Sequence, residues 1–325
     1  MNFNSLSPGE QVESSLQPEW LRRLDAWRGL LVRCTLKPSR KNVHALRSQT
    51  LRLRVTLQQR LQEWGADSAA ADALRRWNKE GKRLRRVLEP VRDADVYLAR
   101  LNSLRSRLQG TEDGATQPNP RCLREISKLE GRLKRQRQRA VGKWTSVIET
   151  LGKRLNRLNK EIEKALTPHM PSRVRSTAPE ALRIFTELTG ELPNLNAGNL
   201  HEYRKRLKQA RYLAEISATA DPLAKRLAAA FKRIHYATGE WHDWQELARK
   251  ANRFLPGHGE QDGLLRVLEA LAEKALHRAL GQCRRSTARL LKNGGETRPL
   301  PPRKPVVSDL GFQFDSESQK VRING

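Results

Sequence analysis

Aromatic residues make up only 5% of this chain, and its cysteines number three, Cys34, Cys122 and Cys283. Three widely spaced cysteines form neither a disulfide framework nor a metal-ligand set, and they fit a reducing compartment. So few aromatics weaken the case for base stacking on single-stranded nucleic acid. No apolar run approaches the roughly 20 residues needed to span a bilayer. The opening "MNFNSLSPGEQVESS" is polar and acidic, unlike a signal peptide, so a cytoplasmic location is expected and no membrane partner. Phosphate-binding loops, dinucleotide fingerprints and nucleophile motifs are absent. His169, His235, His242, His258 and His277 show no paired ligand spacing, and no carboxylate cluster suits a metal ion. The expectation is therefore a protein that is not an enzyme, with no metal and no cofactor.

Acidic residues are also scarce: 35 Asp and Glu stand against 63 Lys and Arg, a formal net charge of +28 over 325 residues. Such a charge opposes compaction by self-repulsion, so a polyanionic partner is the natural counterweight: nucleic acid, an anionic membrane or a phosphate polymer. What is plentiful is leucine at helical spacing. The pattern predicts helices at 18–35, 41–64, 68–89, 92–109, 121–166, 177–191, 198–219, 221–238, 241–254 and 262–292, and an all-α fold. "QGTEDGATQPNP", 109–120, reads as a polar loop, and "TPHMPSRVRSTAP", 167–179, as the seam between two halves. The expected organisation is an N-terminus over 1–17, a first helical half over 18–166, a linker over 167–179, a second half over 180–292 and a tail over 293–325. That tail could be an extended strand, a short hairpin or disordered.

The halves repeat one another. "NVHALRSQTLRLRV" places His44 three residues before Arg47 and ten before Arg54; "NLHEYRKRLKQARY" places His201 likewise before Arg204 and Arg211. At about 100° per residue these three positions fall within about 80° of one another. Leu46, Leu53 and Leu57 in the first copy, and Tyr203, Ala210 and Ala214 in the second, take nearly the opposite side. Each helix thus carries a core face and a His/Arg stripe. A solvated face accepts Lys or Glu anywhere and needs no histidine at a fixed offset, so the matched spacing points to a ligand. A second block, 75–101, matches 225–251 when Asp93 is laid on Asp243, pairing Arg75 with Lys225, Lys82 with Lys232 and Arg83 with Arg233. "RAVG" at 139–142 matches "RALG" at 278–281. An internal duplication of a helical unit follows.

The order of these blocks resembles the conserved histidine α-helical domain, CHAD: His-x-x-Arg with a basic cluster, a helix ending near "VRDADVYLARL", then a second His-x-x-Arg-Lys-Arg. The resemblance covers roughly residues 18–292. It implies two pseudo-symmetric helical bundles in one two-lobed body, with a central basic groove or pore that binds inorganic polyphosphate, and association with bacterial polyphosphate granules. The carry-over falls on His44, Arg47, Arg52 and Arg54, and on His201, Arg204, Lys205, Lys208 and Arg211. The chain departs from the family pattern at Leu51 and Gln209, where basic residues are usual, at Pro90 near a usual glycine, and at Trp241, His242 and Trp244.

Polyphosphate carries charge on every unit and no bases, so its efficient receptor is a rigid track of Arg and Lys. Histidine adds a donor and, when protonated, a charge; a bound anion raises its pKa. The candidate contacts are the carried-over residues together with Arg75, Lys82, Arg83, Arg86, Arg139, Lys225 and Lys232. Arg132, Arg135 and Arg139 share a face that either extends the basic track or is simply solvated. Asp93 and Asp243, after Pro90 and Gly239, are expected to cap restarting helices, with orientation of a neighbouring arginine as the other role. The tryptophans read as core packing. The resulting expectation is a polyphosphate-binding, granule-associated protein; the alternative is a nucleic-acid-binding or nucleoid-associated one, weaker nucleic-acid binding being compatible with either.

Overall fold

A computed structural model describes residues 18–64, 68–109, 120–167, 176–255 and 263–293. Among the described residues there are eight α-helices and no strand: α1 Glu19–Leu36, α2 Arg40–Trp64, α3 Ser68–Gln109, α4 Pro120–Leu166, α5 Ala178–Glu191, α6 Leu200–Ser217, α7 Pro222–Phe254 and α8 Leu264–Asn293. The all-α expectation holds. The readings of 1–17 and of the tail lie outside the described residues, as do most of the loop at 109–120 and of the seam at 167–179. No described helix is long and apolar enough to cross a membrane.

Local chemistry explains several boundaries. α7 begins with Pro222 at its first position, and the Asp221 carboxylate accepts from the amides of Leu223 at 2.7 Å and Ala224 at 3.2 Å. Two expected breaks do not occur. Pro90 lies inside α3 and Gly239 inside α7. Pro90 removes only its own amide donor, and Val91 directly beyond it is fully buried, so the apolar stripe carries the helix on. The Arg47 guanidinium donates to the Arg85 carbonyl, one residue before the Arg86 carbonyl that Pro90 leaves without an amide donor. In α7 the buried run Ile234, Thr238, Trp241 passes Gly239 without a gap. Asp93 and Asp243 are therefore mid-helix residues, not caps.

The buried side chains form two cores. One joins α1, α2, the first part of α3 (Ala70 to Val91) and the last part of α4 (Ala140 to Leu166). The other joins Tyr97, Leu101 and Leu104 of α3, Cys122 to Leu133 of α4, and α5 to α8. Helices α3 and α4 run alongside each other through both. Trp20, Trp27, Trp77, Trp144, Trp241 and Trp244 are buried, as the sequence predicts; the Trp64 side chain lies outside the description. Trp27 donates to Thr50 Oγ1 at 2.9 Å and Trp77 to Asn159 Oδ1 at 2.7 Å, so their indole N–H groups are satisfied in the core. All three cysteines are buried and unpaired.

Between the cores the shared helices turn polar. On α3 this stretch holds Arg92, Asp93 and Asp95; on α4 it is "KRQRQR", 134–139. Arg137 donates to Asp95 at 2.6 Å and to the Pro38 carbonyl at 3.1 Å, pinning α4 to α3 there. α6 packs against α2 and α7 against α3. The second copy of the stripe thereby faces the first.

Candidate functional site

The meeting of α2, α3, α6 and α7 gathers basic side chains from both repeats. From the first, Arg47 and Arg52 come from α2, and Arg85 and Arg92 from α3. From the second, Arg204, Lys208 and Arg211 come from α6. Their proximity is electrostatically explicit: the Lys208 ammonium is pushed well below its ordinary pKa, first by burial and then by Arg204, Arg47, Arg85 and Arg92. A lysine of the second copy thus lies against the arginines of the first.

Carboxylates partly balance this charge. Glu215 accepts from Arg52 Nε and from Arg211 Nε, each at 2.7 Å, so it ties the two copies together. Although it is partly buried, these arginines hold its carboxyl below the usual range. Arg92 lies between the two aspartates that the repeat aligns, 3.0 Å from Asp93 and 3.1 Å from Asp243. Asp243 also lies 3.7 Å from Arg100. Arg47 reaches Glu89 at 3.3 Å. The Tyr212 ring takes part of the remaining charge on its π face, with Arg52 at 5.2 Å, Arg211 at 5.7 Å and Lys208 at 5.8 Å.

Arg204 is different. Its Nε is buried and has no hydrogen-bond partner among the described residues. Burial lowers its pKa, Asp243 raises it and Arg92 lowers it again. Its guanidinium lies against α7 at Gly239, where an added Cβ would sit 3.5 Å from Nη2. The glycine that suggested a helix break instead leaves space beside this arginine.

Histidines line the same centre. His44 and His201 both have lowered pKa values, chiefly through burial; Arg92 and Lys208 contribute for His44, Lys205 and Arg204 for His201. The His201 ring packs on His242 at 5.1 Å between centroids. Burial and Arg204 push His242 down to about 3. Burial, with Arg204, Lys208 and Arg211, takes His235 to about 2. Both are neutral imidazoles at physiological pH. Arg211 Nη1 lies 3.3 Å from His235 Nδ1, so the neutral ring accepts there and carries its proton on Nε2. That Nε2 is buried without a partner among the described residues.

The candidate residues divide accordingly. His44, Arg47, Arg52, His201, Arg204, Lys208 and Arg211 come together. Arg54, Lys82 and Lys205 are half-buried on α2, α3 and α6, with Lys205 bonded to Glu202 at 2.7 Å. Arg75, Arg83, Arg86, Arg139, Lys225 and Lys232 are exposed. Arg75 pairs with Asp72, Arg83 lies 3.9 Å from Glu80, and Lys232 lies over the Tyr236 ring at 5.8 Å. Sequence reasoning missed Arg85, Arg92, Tyr212, His235 and His242. The alignment of Asp93 on Asp243 was the signal for Arg92, because an aspartate in each half implies a shared cation.

The CHAD domain profile matches residues 19–251. No curated protein matches the chain. Among solved structures, PptA from Streptomyces chartreusis is similar in fold, with a TM-score of 0.55 and 17% sequence identity, over 84% of this chain and 98% of that one.

Proposed function

The chain belongs to the CHAD-domain family, and from that premise we propose that its centre binds inorganic polyphosphate. One observation carries the reading: cations of both repeats converge on Arg204 and Lys208, where burial and like-charge repulsion depress the charged forms. Such a centre is stabilised by an anion that supplies many charges in single file. The arginines offer forked donors to successive phosphates and Lys208 a mobile point charge. His235 Nε2 and Arg204 Nε offer donors not used among the described residues. No base-edge readout is needed, and Tyr212, the aromatic ring at the centre, is already covered by cations.

Binding rather than catalysis is the reading, because the central carboxylates are committed to guanidinium groups: Glu89 to Arg47, Asp93 and Asp243 to Arg92, and Glu215 to Arg52 and Arg211. In the cell we place the protein on polyphosphate granules in the cytoplasm, through this same centre.

The test is a direct comparison of long-chain polyphosphate, duplex DNA and heparin at equal charge concentration and physiological salt. Polyphosphate should bind tightest and resist displacement by DNA. If six or more side chains contact phosphates, affinity should fall about 10³–10⁵-fold between about 50 and 200 mM salt, by analogy with DNA. Equal or tighter DNA binding would overturn the assignment.

A further inference from the structure

Helix α4 carries a row of cations that the central site does not use. Arg124, Lys128, Arg132, Arg135, Arg139 and Lys143 follow one another at spacings of three or four residues. At about 100° and 1.5 Å per residue they occupy one face about 100° wide and about 28 Å long. All six are exposed. Their face is turned to solvent except at Arg132, which meets Phe254 of α7. Leu129, Leu133, Ala140 and Trp144 turn the other side of α4 into the cores, and Arg137, about half a turn from the row, is the arginine that reaches Asp95 on α3.

Among the described residues, six such cations in one row lie without paired carboxylates, whereas several surface cations elsewhere have a carboxylate one turn away: Arg22 with Glu19, Arg28 with Asp25, Lys153 with Glu149, Arg157 with Glu161, Arg183 with Glu180, Arg249 with Glu246. Between Gly131 and Ile148, α4 contains no acidic residue at all. No ion pair involves the six among the described residues. Arg132 instead donates to the Phe254 carbonyl at 2.6 Å and lies over that ring at 5.5 Å. It helps form an open recess of about 380 Å³ with Lys128, Arg135, Ser127, Gly131 and Phe254.

We propose that this face of α4 is a second binding surface, separate from the centre, for another segment of a linear phosphate polymer. The inference rests on the reading of the centre only for the identity of the polymer. Charge complementarity argues for a polyanion, and the form of the row argues for which one. A straight single file matches a flexible chain with one charge per unit. A duplex backbone winds around its axis and would meet only part of the row. Single-stranded nucleic acid would need aromatic platforms, and Phe254, the ring at the recess, is already engaged by Arg132 and Lys250. An anionic membrane would favour apolar side chains within the row, and there are none. Two surfaces on one molecule make binding bivalent: a long chain engages both, and one molecule can join two chains.

The experiment uses the full chain and compares polyphosphate of about 10 units with polyphosphate of several hundred, since only the longer can gain from simultaneous engagement. The variant is Arg124→Gln, Lys128→Gln, Arg135→Gln, Arg139→Gln, Lys143→Gln; Arg132 is kept because it bonds to the Phe254 carbonyl. Short-chain affinity should be unchanged, which also reports an intact fold. Long-chain affinity should fall about 10²-fold, and its salt slope by about 3.5, at about 0.7 for each of the five lost contacts. The complementary variant, Arg204→Gln with Lys208→Gln, should lose short-chain binding yet keep residual, salt-sensitive long-chain binding. Unchanged long-chain affinity and slope in the five-site variant would overturn the second surface while leaving the centre intact. Loss of duplex DNA binding in that variant without loss of polyphosphate binding would also overturn it, in favour of nucleic acid. Failure of the wild-type protein to bind either chain length would instead refute the centre and remove the polymer assigned here.

Discussion

Acidification should destabilise the ligand-free protein well above the pH at which carboxylates titrate. His235 and His242 are held neutral by burial and by surrounding arginines, with pKa values of about 2 and about 3 against an ordinary 6.5. The unfolded imidazole takes up a proton near 6.5 while the folded one does not. The unfolded state therefore binds more protons below that pH, and stability is lost as the pH falls from 6.5 toward the folded values. Each such histidine contributes up to about 1.4 kcal/mol per pH unit once its unfolded form is protonated, so between about pH 6.5 and 5 the pair removes roughly 3 kcal/mol. That is a large share of the 5–15 kcal/mol typical of a folded domain. Depressed carboxylates such as Glu215 act only below their own unfolded values, so they leave this window clear. Urea unfolding at closely spaced pH values measures the slope. The double variant His235→Gln, His242→Gln should lose most of it, and polyphosphate should flatten it in the wild type by favouring the charged rings. A double variant whose stability falls as steeply as the wild type's would refute the reasoning.

Other perturbations separate stability from binding. Lys208→Met removes a cation that burial and four arginines disfavour; it should raise the melting temperature of the ligand-free protein by a few degrees, about 1 kcal/mol, while weakening polyphosphate binding measured by titration calorimetry. Glu215→Gln breaks the pairs to Arg52 and Arg211 and should cost about 2 kcal/mol in urea unfolding, a loss that added polyphosphate makes good. Gly239→Ala places a Cβ in ordinary contact with Arg204 and should stabilise α7 by about 0.5–1 kcal/mol, whereas Gly239→Leu should displace that guanidinium and weaken binding in the same titration.

Helix type, the core faces and the paired histidine helices were legible because each rests on a local period. Leu46, Leu53 and Leu57 are buried where their spacing put them. The two false breaks arose because Pro90 and Gly239 are local signals, and burial of Val91 and Trp241 outweighs them. Half of the site depends on which helices meet, and periodicity does not reveal that. His235 and His242 lack any paired spacing, yet the packing of α7 on α6 brings them to Arg211 and His201. The repeat positions Arg75 and Lys225 are not gathered at the centre: duplication preserved a pattern that the fold turns to solvent.

Helices α3 and α4 each contribute to both cores, and this bears on how such a protein could be divided. A fragment ending at the close of α4 would keep Tyr97, Leu101, Leu104, Ile126, Leu129 and Leu133 but lose the helices that cover them. The remaining fragment would carry α5 to α8 without those two struts. The duplicated halves are thus no longer modules that can be expressed or exchanged singly. The two halves share a common pair of helices, and equilibrium unfolding of the whole should be one cooperative transition rather than two.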